Sequence, residues 1–213
     1  MKKKLWISFG LLLAFVLWTV AVKTVDLGAI GPNGSMVGFS TVNRFVHRLT
    51  GANFTLYTIT DWLGLVPVLA CLCCAILGLI QWIRRKSICK VDVDILLLGG
   101  FYIVVIAVYM LFETVVINYR PVLINGFLEA SYPSSTTMLV MCAMPTAVLQ
   151  VNHRIQSGTW KTCINTAIFA YIAFMVIGRL LSGVHWITDI IGGGLLSAGL
   201  VSLYHGLVCW QGE

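Results

Sequence analysis

A chain of 213 residues that is 59% hydrophobic and 10% charged, with a mean hydropathy of +0.92, lies outside the range of water-soluble globular domains. The lipid bilayer is its expected solvent. The net charge of +6 does not point to nucleic acid, because the basic residues are scattered at the ends of apolar runs and form no basic stripe with interleaved aromatics.

Six mostly apolar runs approach the length of about 20 residues that a helix needs to cross the hydrocarbon core. In chain order they are Leu5 to Val22, Trp62 to Ile83, Ile95 to Phe112, Ser134 to Val151, Thr162 to Gly178 and Trp186 to Leu207. The first three contain no internal Lys, Arg, Asp or Glu, whereas the last carries Asp189 near its start. None alternates with period two as a barrel strand must, so helices are the way to satisfy the backbone in hydrocarbon. The expected fold is all-α: one integral membrane domain over residues 1–213, a six-transmembrane-helix bundle.

Lys2-Lys3-Lys4 before the first run could also open a secretory signal, but the run is long and no small-x-small cleavage site follows, so an uncleaved anchor is expected. Positive residues stay on the cytoplasmic side. With the amino terminus inside, Lys2, Lys3, Lys4, Arg84, Arg85, Lys86, Lys90, Arg154 and Lys161 are inner, and Lys23, Arg44, Arg48, Arg120 and Arg179 are outer. Nine against five places both termini in the cytoplasm. The one long loop, Lys23 to Asp61, turns at Gly31-Pro32-Asn33-Gly34 and offers Val46, Leu49, Phe54 and Leu56 as apolar contacts. It is expected to lie along the outer membrane surface and to roof a site.

The cysteines show neither a disulfide framework nor zinc spacing, and no metal or cofactor is expected. Gly192-Gly193-Gly194 follows no strand and is read as a helix-packing surface rather than a nucleotide loop.

Three outward-facing clusters hold the chemistry. Glu113 through Tyr119-Arg120-Pro121 leaves the third run, Tyr132-Pro133-Ser134-Ser135-Thr136-Thr137 enters the fourth, and Arg179 to His185 to Asp189 links the fifth and sixth. Singly, each has a plain reading as a helix start or an interfacial anchor. Together they do not, because an ionisable residue such as Asp189 inside a span is expensive and marks a site. Asp189, four residues after His185, can hold one ring nitrogen's proton and leave the other as nucleophile. Arg120 and Arg179 supply planar charged forks for phosphate oxygens. Ser134, Ser135 and Thr136 stand at a helix N-terminus that favours an anion.

The order and spacing of these residues resemble the three signature motifs of the type 2 phosphatidic acid phosphatase superfamily, over a motif-bearing core of about residues 95–210. The third motif is complete as Arg179, His185 and Asp189, with Gly178 where Ser usually precedes the Arg. The first is altered, with Glu113 in the place of a phosphate-binding lysine ahead of Arg120-Pro121; the second reads Pro133-Ser134-Ser135-Thr136, with Thr136 where a histidine usually protonates the leaving group.

The resemblance implies a phosphatase without metal or other cofactor, acting on a lipid phosphate or diphosphate at the outer face of the membrane, with a bacterial plasma membrane as the expected location. His185 would attack phosphorus, Asp189 would orient it, and Arg120, Arg179, Ser134 and Ser135 would hold the phosphoryl oxygens. Thr136 cannot act as a general acid near neutral pH, which favours a diphosphate, whose phosphate leaving group needs a proton least. Glu113 opposes phosphate unless it pairs with an arginine or, protonated, serves as the acid. Of the other histidines, His47 alone could approach the site. The alternative reading is a catalytically degenerate relative that binds or transports a lipid phosphate. Its expected partner is membrane lipid, with no nucleic acid.

Overall fold

A computed structural model describes residues 2–210. Their helices are α1 (Lys2–Thr24), α2 (Ser40–Thr50), α3 (Phe54–Leu63), α4 (Leu65–Arg85), α5 (Val93–Thr114), α6 (Ser135–Arg154), α7 (Gly158–Leu181) and α8 (Ile187–Trp210). Two short strands, β1 (Gly28–Ala29) and β2 (Met36–Val37), pair antiparallel around the turn at Pro32–Gly34, where the Gly-Pro-Asn-Gly run predicted one.

Five stretches are long and apolar enough to cross a membrane: α1, the α3–α4 rod from Phe54 to Arg85, α5, α7 and α8. The second therefore begins eight residues before the Trp62 start expected from sequence. The rod breaks at Gly64 because Pro67 has no N–H to donate to the Leu63 carbonyl one turn back. The Tyr171 hydroxyl donates to that carbonyl at 2.8 Å, fastening α7 to the break.

The fourth predicted run does form a helix, α6, but it is not among those five. It packs against α4, α5, α7 and α8, and its polar residues are used inside the protein. Thr146 Oγ1 lies 2.8 Å from the Tyr102 hydroxyl, and Gln150 Nε2 donates to the Tyr204 hydroxyl at 2.8 Å. A helix surrounded by helices needs less lipid-compatible surface than its length suggests.

Two polar ends define the bundle. At one, Lys4 Nζ lies 2.9 Å from His205 Nε2, Arg154 pairs with Asp94 and Arg85 with Asp92, both at 2.8 Å. Tyr204 ties them together by donating to the Asp94 carbonyl at 3.1 Å. At the other, Trp18 Nε1 donates to the Thr188 carbonyl at 3.1 Å and Thr19 Oγ1 lies 2.7 Å from the Tyr132 hydroxyl. Thus α1 runs antiparallel to α8 along its length. A Cβ on Gly192 would fall 2.6 Å from the Tyr132 ring, so the glycine lets α8 approach the segment that starts α6. Phe15 stacks on the Tyr132 ring with centroids 6.2 Å apart.

Candidate active site

The turn between α7 and α8 is built so that Arg179 and His185 point to one place. Ser182 Oγ donates back to the Arg179 carbonyl at 2.7 Å, and Gly183 turns the chain with φ +64, a conformation that favours glycine. A Cβ there would also lie 1.6 Å from the Gly51 carbonyl oxygen. The close approach brings in the outer loop: Asn53 N–H donates to the Ser182 carbonyl at 2.9 Å. The loop expected to roof a site is docked directly on this turn through α3 and the residues before it.

His185 is buried at 3% exposure. Its Nε2 faces two guanidinium groups, 3.4 Å from Arg120 NH1 and 3.5 Å from Arg179 NH2. Guanidinium can only donate, so Nε2 is the acceptor and the ring proton sits on Nδ1. That nitrogen lies 3.1 Å from Ser131 Oγ and 3.2 Å from the Ser131 carbonyl. Ser131 Oγ in turn donates to Asp189 Oδ2. Asp189 is fully buried and also accepts from Trp186 N–H at 3.0 Å and from Asn118 Nδ2 at 3.2 Å.

The sequence reading has Asp189 hold His185 directly across one helical turn; the structure instead places Ser131 between them. The reason is local: His185 precedes the first turn of α8, so the two side chains are not stacked on one helix face. Ser131 lies just before the second cluster and Asn118 within the first, and the sequence reading gives neither a role. Their only signal in sequence is position, one residue before Tyr132-Pro133 and two before Arg120-Pro121.

Both arginines are buried, and the Nε of each has no hydrogen-bond partner among the described residues. Unsatisfied buried donors are costly, and an oxyanion would satisfy them. Arg120 Nε does lie 3.1 Å from Glu129 Oε2, but without hydrogen-bond geometry, so the contact is an ion pair only. Arg179 NH1 is 3.7 Å from Asp61 Oδ1 and 3.4 Å from Thr60 Oγ1.

Glu113 therefore pairs with neither arginine; Glu129 and Asp61 take those places. It lines the small cavity at His185 together with Tyr109, Ser131 and Ser135. Ser134 is buried and caps α6, its Oγ accepting from Thr137 N–H, while its own N–H donates to the Asp189 carbonyl at 3.1 Å. Thr136 lines a separate, mostly apolar cleft of about 290 Å³ between α5 and α6, with Val105, Ile106 and Leu139. Tyr109, Ser135 and Met138 line both spaces, so the cleft adjoins the histidine cavity. His47 does not line that cavity; its ring stands 5.5 Å from the Trp186 ring. No group of three or more His, Cys, Asp or Glu among the described residues could hold a metal ion.

Burial and the two adjacent guanidinium charges push the His185 pKa well below its ordinary 6.5. A lowered histidine pKa means the neutral, nucleophilic form persists as pH falls and is lost only on passing through the lowered value. With an activated substrate that does not itself titrate in the range, kcat/KM is expected to stay flat from pH 8 down through 6.5 and to bend only below that. An acid limb already complete at pH 6.5 would contradict this expectation.

The sequence profile of the PAP2 superfamily matches residues 100–212, more than half of the chain, and the chain belongs to that superfamily. No curated protein matches it significantly in sequence. Among solved structures, it is similar to the crystal structure of the first transmembrane PAP2 type phosphatidylglycerolphosphate phosphatase from Bacillus subtilis. The two share 18% identity with a TM-score of 0.63, over 95% of this chain and 96% of that one, a likeness of fold that includes the residues before the profile match.

Proposed function

We propose that the protein is a membrane phosphatase that hydrolyses a lipid-linked phosphate or diphosphate through a phosphohistidine. The observation that carries this reading is His185, a buried imidazole whose Nε2 faces two guanidinium groups, each with an Nε donor that has no hydrogen-bond partner among the described residues. The Nε2 lone pair forms the N–P bond as the P–O bond to the lipid breaks. Arg120 and Arg179 take up the phosphoryl charge, and Ser131 with Asp189 supports the proton on Nδ1 as the ring becomes cationic. Water then breaks the N–P bond, releasing orthophosphate and restoring the neutral ring. The cleft between α5 and α6 offers an apolar path for the lipid chain into the adjoining cavity.

Six crossings are favoured, because α6 runs between the same two polar ends as its neighbours. The basic residues Lys4, Arg85 and Arg154 gather at the end opposite the site, which favours cytoplasmic termini and an extracytoplasmic site.

Diphosphate is the favoured substrate. The cavity at His185 is lined by no second histidine or lysine among the described residues, so an alkoxide leaving from a monoester depends on Glu113 for its proton, whereas a departing lipid monophosphate needs none. Glu113 lines this cavity whereas Thr136 lines the cleft beside it, so Glu113→Gln is expected to lower turnover of phosphatidate by about 10-fold or more while changing polyprenyl diphosphate turnover little. Equal effects on both substrates would sink the leaving-group argument.

The test is phosphate release in detergent without divalent metal, from polyprenyl diphosphate and from phosphatidate. Release that is absent for both lipids, with phosphate binding retained, would favour the second reading, a lipid-phosphate binding protein, for which the altered Glu113 and Thr136 speak.

A further inference from the structure

Arg120 and Arg179 approach the same imidazole nitrogen within 3.5 Å, so two like charges lie close together in a buried place, where repulsion is strong. Three groups oppose that repulsion: Glu129, from the same α5–α6 segment as Arg120, and Asp61 and Tyr57, from α3. The carboxylates are the weaker pair. Their side chains are 41% and 61% exposed, water screens them, and each repels an incoming phosphate.

Tyr57 acts without a formal charge. Its ring centroid lies 4.8 Å from the Arg179 guanidinium carbon and 5.8 Å from that of Arg120, both within the range of a cation over the negative face of an aromatic ring. The ring is held in place by α3. Asn53 caps that helix, accepting from Leu56 N–H at 2.9 Å, and its own N–H is bonded to Ser182. Thr60, on the next turn, accepts from Arg179 and packs on Gly178.

We propose that Tyr57 is a positioning residue of the phosphate site, its π face holding the guanidinium groups of Arg120 and Arg179 convergent so that one phosphoryl group bridges both. The assignment rests on the phosphate-site reading above and adds to it a residue that precedes the profile match. A carboxylate in this place would compete with the ligand; an aromatic face stabilises the arginines and leaves their N–H edges free.

The experiment is titration of inorganic phosphate into the purified full chain in detergent, followed by calorimetry, for the wild type, Tyr57→Phe and Tyr57→Leu, with thermal unfolding of each and with kcat and KM on the lipid substrate. Tyr57→Phe keeps the ring face and should bind phosphate within about 2-fold of wild type. Tyr57→Leu keeps bulk without the face and should bind about 5- to 30-fold more weakly, with KM raised more than kcat is lowered and an unfolding midpoint close to wild type. Equal affinity in Tyr57→Leu overturns the proposal. So does a Tyr57→Phe loss as large as that of Tyr57→Leu, which would assign the hydroxyl instead. Wild-type protein that binds no phosphate overturns it together with the functional reading. Wild-type protein that binds phosphate but hydrolyses no lipid fails the phosphatase reading alone, and the Tyr57 assignment is then judged on the isotherms.

Discussion

His185→Ala is expected to abolish phosphate release from any lipid substrate, by at least about 10³-fold, while inorganic phosphate still binds. The two expectations separate because the residue has two neighbours with different duties. Its Nε2 accepts hydrogen bonds from Arg120 and Arg179, but those guanidinium groups do not need it to meet an anion, since their Nε donors are unsatisfied without one. Removing the ring takes away the atom that attacks phosphorus and leaves the charge that binds it. Rapid quench with substrate labelled in the transferred phosphate should trap label on wild-type protein in an acid-labile, alkali-stable form. Label that persists in His185→Ala, or turnover within 10-fold of wild type, would remove the histidine from the mechanism.

Asp189→Asn should be the second most damaging change, lowering kcat about 10²- to 10⁴-fold with KM moved far less. The carboxylate accepts from three donors, the Ser131 hydroxyl, the Trp186 N–H and the Asn118 amide. An asparagine has the same shape but turns one acceptor into a donor. Ser131 then loses the partner that directs its hydroxyl hydrogen away from His185, and the ring nitrogen proton loses its support as positive charge builds during attack. Because the geometry acts through Ser131, Ser131→Ala should reproduce a large part of the loss, and the double variant should fall well short of the summed effects. Fully additive losses would mean that the two residues act separately and that the relay is not used. Thermal unfolding is the control, since Asp189 is buried and its network also joins α8 to the segments before α6 and after α5.

The sequence by itself determined the solvent and much of the architecture. A long apolar run has to become a helix in hydrocarbon, because no water is there to satisfy its backbone. The runs at Leu5, Ile95, Thr162 and Trp186 accordingly became α1, α5, α7 and α8 to within a few residues. The third motif was equally legible, because Arg179, His185 and Asp189 sit within eleven residues on one turn and the helix after it.

Only the tertiary structure decided how those residues are connected. Nothing local tells that Ser131 rather than Asp189 meets the His185 ring, or that Glu129 and Asp61, not Glu113, face the arginines. Such pairings depend on how the segment 115–134 folds back and on where α3 docks, and these are set by contacts between residues far apart in the chain, as between Gly51 and Gly183 or Tyr132 and Gly192. For the same reason Tyr57 carries no mark in the sequence. It sits on α3 among threonines and apolar residues, and it meets both arginines only because the α7–α8 turn and α3 close on one another.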